Sequence, residues 1–249
     1  MKLRIHAACA NDTFVSVAGN IFKNDYKEFV MEFTPEQFYY LFVADGDNRM
    51  KGQAVAEAAL EHLRDSFTMG DIQAQSADSD LFAQIKYIAE ECNALYPHLK
   101  EDEHCGAAIC GVMGNDGSLI TVNASNGLAY ILHNYILEPV TEQTTPIGYN
   151  DPEATEEVGV WEMNGQLQEG DVLIICSNGI TDLLSDDEIG ETASCSTHPA
   201  KQLLADALER DNTAPAAVIA VKIGGGEFVE PFINEDDLTD DTGAYDAWA

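Results

Sequence analysis

The sequence predicts an α+β fold: a four-layer αββα sandwich, two mainly antiparallel sheets with helices on both outer faces. Three observations predict it. Two consecutive stretches place apolar residues at helical spacing, and such a pair must bury one face. Apolar runs of strand length stand before and after that pair, punctuated by turn residues. Capping signals near the C-terminal end open further helices. Strands, then a helix pair, then strands and helices, is the order expected of sheets with helices packed outside them. A length of 249 residues suits one large domain, or at most two small ones.

A short apolar run opens the chain and ends at Asn11-Asp12. The run Phe38 to Ala44 reads as a strand, followed directly by Asp45-Gly46. From Gly52 to Phe67, Val55, Ala59, Leu63 and Phe67 recur every four residues, with Ala56 and Leu60 beside them. From Asp78 to Tyr96, Leu81, Phe82, Ile85, Ile88, Ala89, Cys92 and Leu95 form a second stripe. The polar segment Met69 to Ser79 reads as the loop between these helices. Further strands are expected at Ala107–Met113, Leu119–Ala124, Leu128–Leu132, Val172–Cys176 and Ala216–Ile223. Asn115-Asp116-Gly117 and His133-Asn134 supply hairpin turns. Ser185 and Glu188 have capping-box spacing, and another helix is expected from Pro199 to about Glu209. Residues 1–226 read as the folded domain. Residues 227–249 carry eight acidic residues and no basic one, and read as a flexible acidic tail.

Twelve basic residues face 44 acidic ones, a net charge of −32. Such a surface repels phosphates, which argues against nucleic acid or an anionic membrane as partner. The charge serves either solvation or a basic protein partner. No apolar run reaches the ~18 residues of a membrane span. The first residues lack the apolar stretch of a signal peptide, so a cytoplasmic location is expected. The six cysteines show no CxxC pairing and read as buried, reduced thiols.

Four polar strand ends stand out: Asn11-Asp12, Asp45-Gly46, Asn178-Gly179 and Asp211-Asn212. Each is an ordinary turn sequence when taken alone. Together they offer oxygen ligands of the kind hard divalent cations require. His62, His104 and His133 have no serine or cysteine elbow to serve and read as structural or exposed.

The order of these pieces resembles the PPM (type 2C) metal-dependent serine/threonine protein phosphatases, in their compact bacterial branch. The resemblance runs through Val43-Ala44-Asp45-Gly46, Gly106-Ala107-Ala108, Leu128-Ala129-Tyr130, the stretch Gly170 to Asp182, Leu184 to Ile189, and Asp211-Asn212. It spans residues 7 to 223, and Gly170 to Ile189 is its most specific part. It implies phosphomonoester hydrolysis with Mn²⁺ or Mg²⁺ on a phosphoprotein. By position, Asp45 would bridge two metals and the Gly46 carbonyl would hold one. Asp211 would hold the other, and Asp12 would assist through water.

The pattern is degenerate. Asn178 and Asn126 stand where the family has aspartates, Asn11 where Glu or Gln is usual, and Ala7 where many members keep a phosphate-binding arginine. Arg49 and Lys51 would substitute as phosphate contacts, or are loop charges in solvent. Asparagine ligates a cation without neutralising it, so metal affinity should fall. Two readings follow: a weakened phosphatase holding one or two ions loosely or none, or a pseudophosphatase acting as a protein-binding module.

Overall fold

A computed structural model describes residues 1–34, 37, 39–46, 51–69, 107–115, 118–144, 159–164 and 167–229. The second expected helix, the loop before it, the Asp116-Gly117 turn, Arg49, His104 and the tail beyond residue 229 lie outside the described residues. Twelve strands and four helices are described. The strands are β1 (Lys2–Ala10), β2 (Phe14–Val17), β3 (Asn20–Lys23), β4 (Tyr26–Glu32), β5 (Tyr39–Gly46), β6 (Ala107–Asn115), β7 (Ser118–Ala124), β8 (Leu128–His133), β9 (Ile136–Pro139), β10 (Gly159–Asn164), β11 (Val172–Cys176) and β12 (Ala216–Ile223). The helices are α1 (Lys51–Met69), α2 (Asn178–Thr181), α3 (Asp186–Cys195) and α4 (Pro199–Arg210).

Two six-stranded antiparallel sheets form, in the orders β4-β1-β12-β11-β8-β9 and β10-β7-β6-β5-β2-β3. Side chains that alternate along the strands build two cores. Leu3, Ile5, Ala7 and Cys9 of β1 meet Leu41 and Val43 of β5 between the sheets. On the outer face of the first sheet, Ile174, Val218 and Ala220 pack against Ile189, Leu203 and Ala207 of the helices. On the second sheet, α1 buries Val55, Ala56, Ala59, Leu60 and Leu63, the stripe its four-residue spacing predicts. The αββα sandwich is therefore present, with helices on both outer faces.

The first 32 residues hold four strands where the pattern showed only a short apolar run. β4 is an edge strand that buries residues only partly, so its alternation is weak. The β1–β2 and β8–β9 turns use Asn11-Asp12 and Asn134-Tyr135, all with positive φ. Asn and Asp enter that region at the least cost of the non-glycine residues. His133, expected in the second turn, is instead the last residue of β8. Its Nδ1 lies 2.6 Å from Asp171 Oδ1, fastening that end of the sheet.

The capping box forms as its spacing predicts. Ser185 Oγ accepts from the Glu188 N–H, and Glu188 Oε2 accepts from the Ser185 N–H at 2.9 Å. Arg210, at the end of α4, donates to Glu188 and to the Leu183 carbonyl. The guanidinium, with Ser185, holds the Glu188 carboxyl down to about 2. The unfolded chain therefore takes up this proton first. The contribution is complete above about pH 4.5 and is lost as pH falls toward 2. Glu188→Gln is expected to flatten the urea midpoint against pH in that window, by less in high salt because the pair is exposed. Equal slopes in both proteins would show that the pair does not form.

Four cysteines are described and all are free: Cys9, Cys110 and Cys176 buried, and Cys195 exposed. Burial pushes the Cys110 and Cys176 thiols far up, so they remain protonated and inert. No described helix is long and apolar enough to cross a membrane.

Candidate functional site

The four polar strand ends arrive at one edge of the sandwich. The Asn11-Asp12 turn passes between the sheets, since β1 belongs to one and β2 to the other. Asn11 Nδ2 donates to the carbonyls of Asn212 (3.0 Å) and Ala214 (2.8 Å). Thr13 Oγ1 donates to Ala216 O at 2.8 Å. These bonds tie the turn to the Asp211-Asn212 loop at the start of β12.

From the second sheet, β2 pairs with β5 so that Phe14 faces Ala44. This register brings the segment before Phe14 beside Asp45 and Gly46. The two residues end the strand rather than forming the turn their sequence suggests, and Asp45 is 7% exposed. Gly46 lies directly against the first turn of α1. A Cβ on it would come within 2.1 Å of the Gly52 carbonyl carbon and 2.2 Å of the Gln53 nitrogen. Only glycine permits that approach.

From the first sheet, β11 ends at Cys176 and the chain turns into α2. Ser177 exchanges two bonds with Ala217: its N–H donates to Ala217 O, and its Oγ accepts from Ala217 N, each at 2.9 Å. Gly179 presses so closely on Pro215 that a Cβ would fall 1.8 Å from the Pro215 oxygen. Asn178 between them therefore has a fixed backbone. Its Oδ1 is buried and has no hydrogen-bond partner among the described residues. The β7–β8 turn joins the same edge, with Thr181 Oγ1 donating to Asn126 O at 3.4 Å.

The carboxylates are partly committed. Asp12 is paired with Lys23 Nζ at 2.8 Å, and Lys23 also donates to Gln53 Oε1 at 3.4 Å. Lys23, then Gln53, hold the Asp12 carboxyl below its usual range. Asp211 Oδ1 accepts from the Thr213 N–H (2.9 Å) and hydroxyl (2.7 Å), and Thr213 lowers its pKa. Ala7 is fully buried in the core between the sheets, and its methyl brings no charge there. Lys51 opens α1.

The strand-end pattern contains neither Lys23 nor Gln53. The β2–β3 register, which pairs Lys23 with Phe14, puts the lysine there, and no local spacing signals it.

A fully oxygen donor set suits Mg²⁺ or Mn²⁺. Asp45, buried and anionic in type, and the unpartnered Asn178 oxygen fit such an ion. Asp12, neutralised by an ammonium group, fits it poorly. Of these residues, Asp45 and Asn178 suit such an ion and Asp12 does not.

No family model matches the chain, and no curated protein matches it. Solved structures do. The serine/threonine phosphatase of S. agalactiae superposes with a TM-score of 0.69 at 15% identity, over 88% of this chain and 99% of that one. PppA, a key regulatory component of T6SS in Pseudomonas aeruginosa, gives 0.65 at 14% identity, over 88% and 97%. The catalytic domain of the serine threonine protein phosphatase PstP, in complex with 2 manganese ions, gives 0.65 at 18%, over 89% and 99%. At these identities the likeness is one of fold, and the fold of this chain is that of the bacterial type 2C serine/threonine phosphatases.

Proposed function

We propose that the chain is a metal-dependent serine/threonine phosphatase of the type 2C kind with a weakened metal site. The observation that carries this reading is the buried Asn178 Oδ1, without a partner among the described residues, at the end of the sandwich to which the segments carrying Asp45, Asp12 and Asp211 also run. A buried oxygen without a donor is costly, and a cation satisfies it.

Asp45 supplies the main anionic ligand, with the Gly46 carbonyl beside it. Asp211 and Asn178 contribute from the opposite sheet, and Asp12 acts through water. Mn²⁺ or Mg²⁺ held there supplies Lewis acidity toward a phosphoryl oxygen and a water of lowered pKa. The phosphate faces the N-terminus of α1, whose first turn has no acidic residue and whose free N–H groups favour anions. Arg49 and Lys51, which flank that N-terminus in sequence, add positive charge. The substrate is a phosphoprotein, and a net charge of −32 favours basic residues around its phosphorylated side chain.

A second reading rests on Lys23. Its ammonium on Asp12 supplies the positive charge a metal otherwise brings, which suits a pseudophosphatase used as a binding module. Assays with p-nitrophenyl phosphate and a phosphothreonine peptide in Mn²⁺ separate the two. Slow turnover, abolished by EDTA and by Asp45→Asn with the melting curve retained, is expected. Absence of turnover in the natural chain, with activity gained in Lys23→Gln, would favour the binding module.

A further inference from the structure

His6 lies midway along β1 on the outer face of its sheet. It is 2% exposed, and among the described residues neither ring nitrogen has a hydrogen-bond partner. A neutral imidazole carries one donor and one acceptor, so leaving both unmet in a buried site is unfavourable. Two further ligand-type side chains face it. Glu28 of β4 is its partner across the strands, with Oε2 4.0 Å from His6 Nε2. His198, the residue capping the start of α4, places Nδ1 3.2 Å from Glu28 Oε1. One ligand atom from each of the three lies within 4.8 Å of the others.

The surroundings match a metal centre. Tyr26 donates its hydroxyl to Glu28 Oε1 at 2.6 Å, as outer partners of ligating carboxylates do. The Phe228 ring closes the apolar side, its centroid 4.5 Å from that of His6. Of the cations nearby, Arg4 is paired with Glu227 at 2.7 Å and Lys201 Nζ lies over the Tyr26 ring, 5.6 Å from its centroid. Burial lowers the pKa of His6, which keeps it in the neutral form that ligates. Bonds of ~2.1 Å in a tetrahedral site separate ligand atoms by roughly 3.4 Å. Here Glu28 turns one oxygen to each imidazole, Oε1 at 3.2 Å from His198 Nδ1 and Oε2 at 4.0 Å from His6 Nε2, and the Tyr26 hydroxyl also lies 3.2 Å from His198 Nδ1, so the ligand atoms must close by a small rotation of the exposed side chains. Glu28 and His198 are half-exposed and have room to adjust.

We propose that His6, Glu28 and His198 bind a zinc-class divalent cation, tying the β1–β4 edge to the start of α4. Two imidazoles and one carboxylate select Zn²⁺ or Co²⁺ over the hard ions that an all-oxygen edge takes. Three protein ligands leave a fourth position to water on the exposed side. The site is separate from the Asp45 edge: five residue steps along the chain, roughly 16 Å of strand, separate His6 from Asn11, and the two sites use different faces of the sheet.

The test uses the full chain stripped with EDTA and titrated with Zn²⁺ by calorimetry and with Co²⁺ by visible absorption, both in millimolar Mg²⁺ to occupy diffuse acidic sites. One saturable Zn²⁺ equivalent, an intense visible Co²⁺ band and a rise in Tm with Zn²⁺ are expected. His198→Ala and Glu28→Gln should each weaken Zn²⁺ at least tenfold, with the metal-free Tm little changed. His198 makes no capping bond to α4, so its loss removes no helix cap. Asp45→Asn should leave the Co²⁺ band intact. A weak octahedral Co²⁺ spectrum, a thiolate charge-transfer band, or unchanged Zn²⁺ affinity in both variants would overturn the site. None of these results depends on whether the Asp45 edge is catalytic.

Discussion

Asn178→Asp is expected to tighten Mn²⁺ binding about ten- to hundredfold and to speed Mn²⁺-dependent turnover at limiting metal. The natural Asn178 Oδ1 is buried without a donor among the described residues, and its backbone is held on both sides by the Ser177–Ala217 bonds and the Gly179–Pro215 contact. An aspartate there keeps the geometry and adds one negative charge. A unit charge ~4 Å from another is worth about 4 kcal/mol at an intermediate effective dielectric, before desolvation. A net gain of about 1.4–2.8 kcal/mol corresponds to the stated range. Without metal, the same carboxylate adds like charge to an edge that already holds Asp12, Asp45 and Asp211. The metal-free Tm should therefore fall, and Mn²⁺ should raise it by more than in the natural protein. Calorimetric titration and paired melts read both. Unchanged Mn²⁺ affinity with a lowered metal-free Tm would remove Asn178 from the metal site.

Gly179→Ala is expected to destabilise the fold by about 3 kcal/mol or more. The added methyl would meet the Pro215 oxygen at 1.8 Å and its carbonyl carbon at 2.7 Å. Both are backbone atoms, so no flexible side chain can give way. The end of β11 would have to leave the start of β12, breaking the bonds between Ser177 and Ala217. Gly226→Ala is the control, because a Cβ there meets nothing within 4 Å. Urea midpoints at constant m-value should separate the two variants clearly. Similar midpoints would mean that the close approach at Pro215 does not exist. Mn²⁺ affinity should fall alongside stability in Gly179→Ala, since the same displacement moves Asn178.

Much of the frame was legible because its signals are local. The four-residue recurrence of Val55, Ala59 and Leu63 marked α1. Ser185 and Glu188 marked the start of α3, and the Val172–Cys176 run and the Ala216–Ile223 run, interrupted only by Lys222, marked central strands buried on both faces. The N-terminal strands were not legible. β1 is long, but its Ala7, Ala8 and Ala10 carry little hydrophobic contrast, and β4 lies at an edge where half-buried residues blur the alternation.

The candidate site divides in the same way. Its residues announced themselves as polar dipeptides after apolar runs. Their state did not, because it depends on neighbours far along the chain. Lys23 reaches Asp12 through the register of a hairpin, and Thr213 engages Asp211 through the shape of a loop. His6, Glu28 and His198 come from three elements and share no spacing.

By itself the sequence determined the central strands, the helices α1, α3 and α4, and which oxygen-bearing residues stand at the strand ends. Backbone propensity and apolar period act over a few residues. Only the tertiary structure decided which of those ends meet, which carboxylates are already paired, and which polar atoms are left without a partner. Those outcomes depend on strand order and register, set by the packing of two sheets against each other.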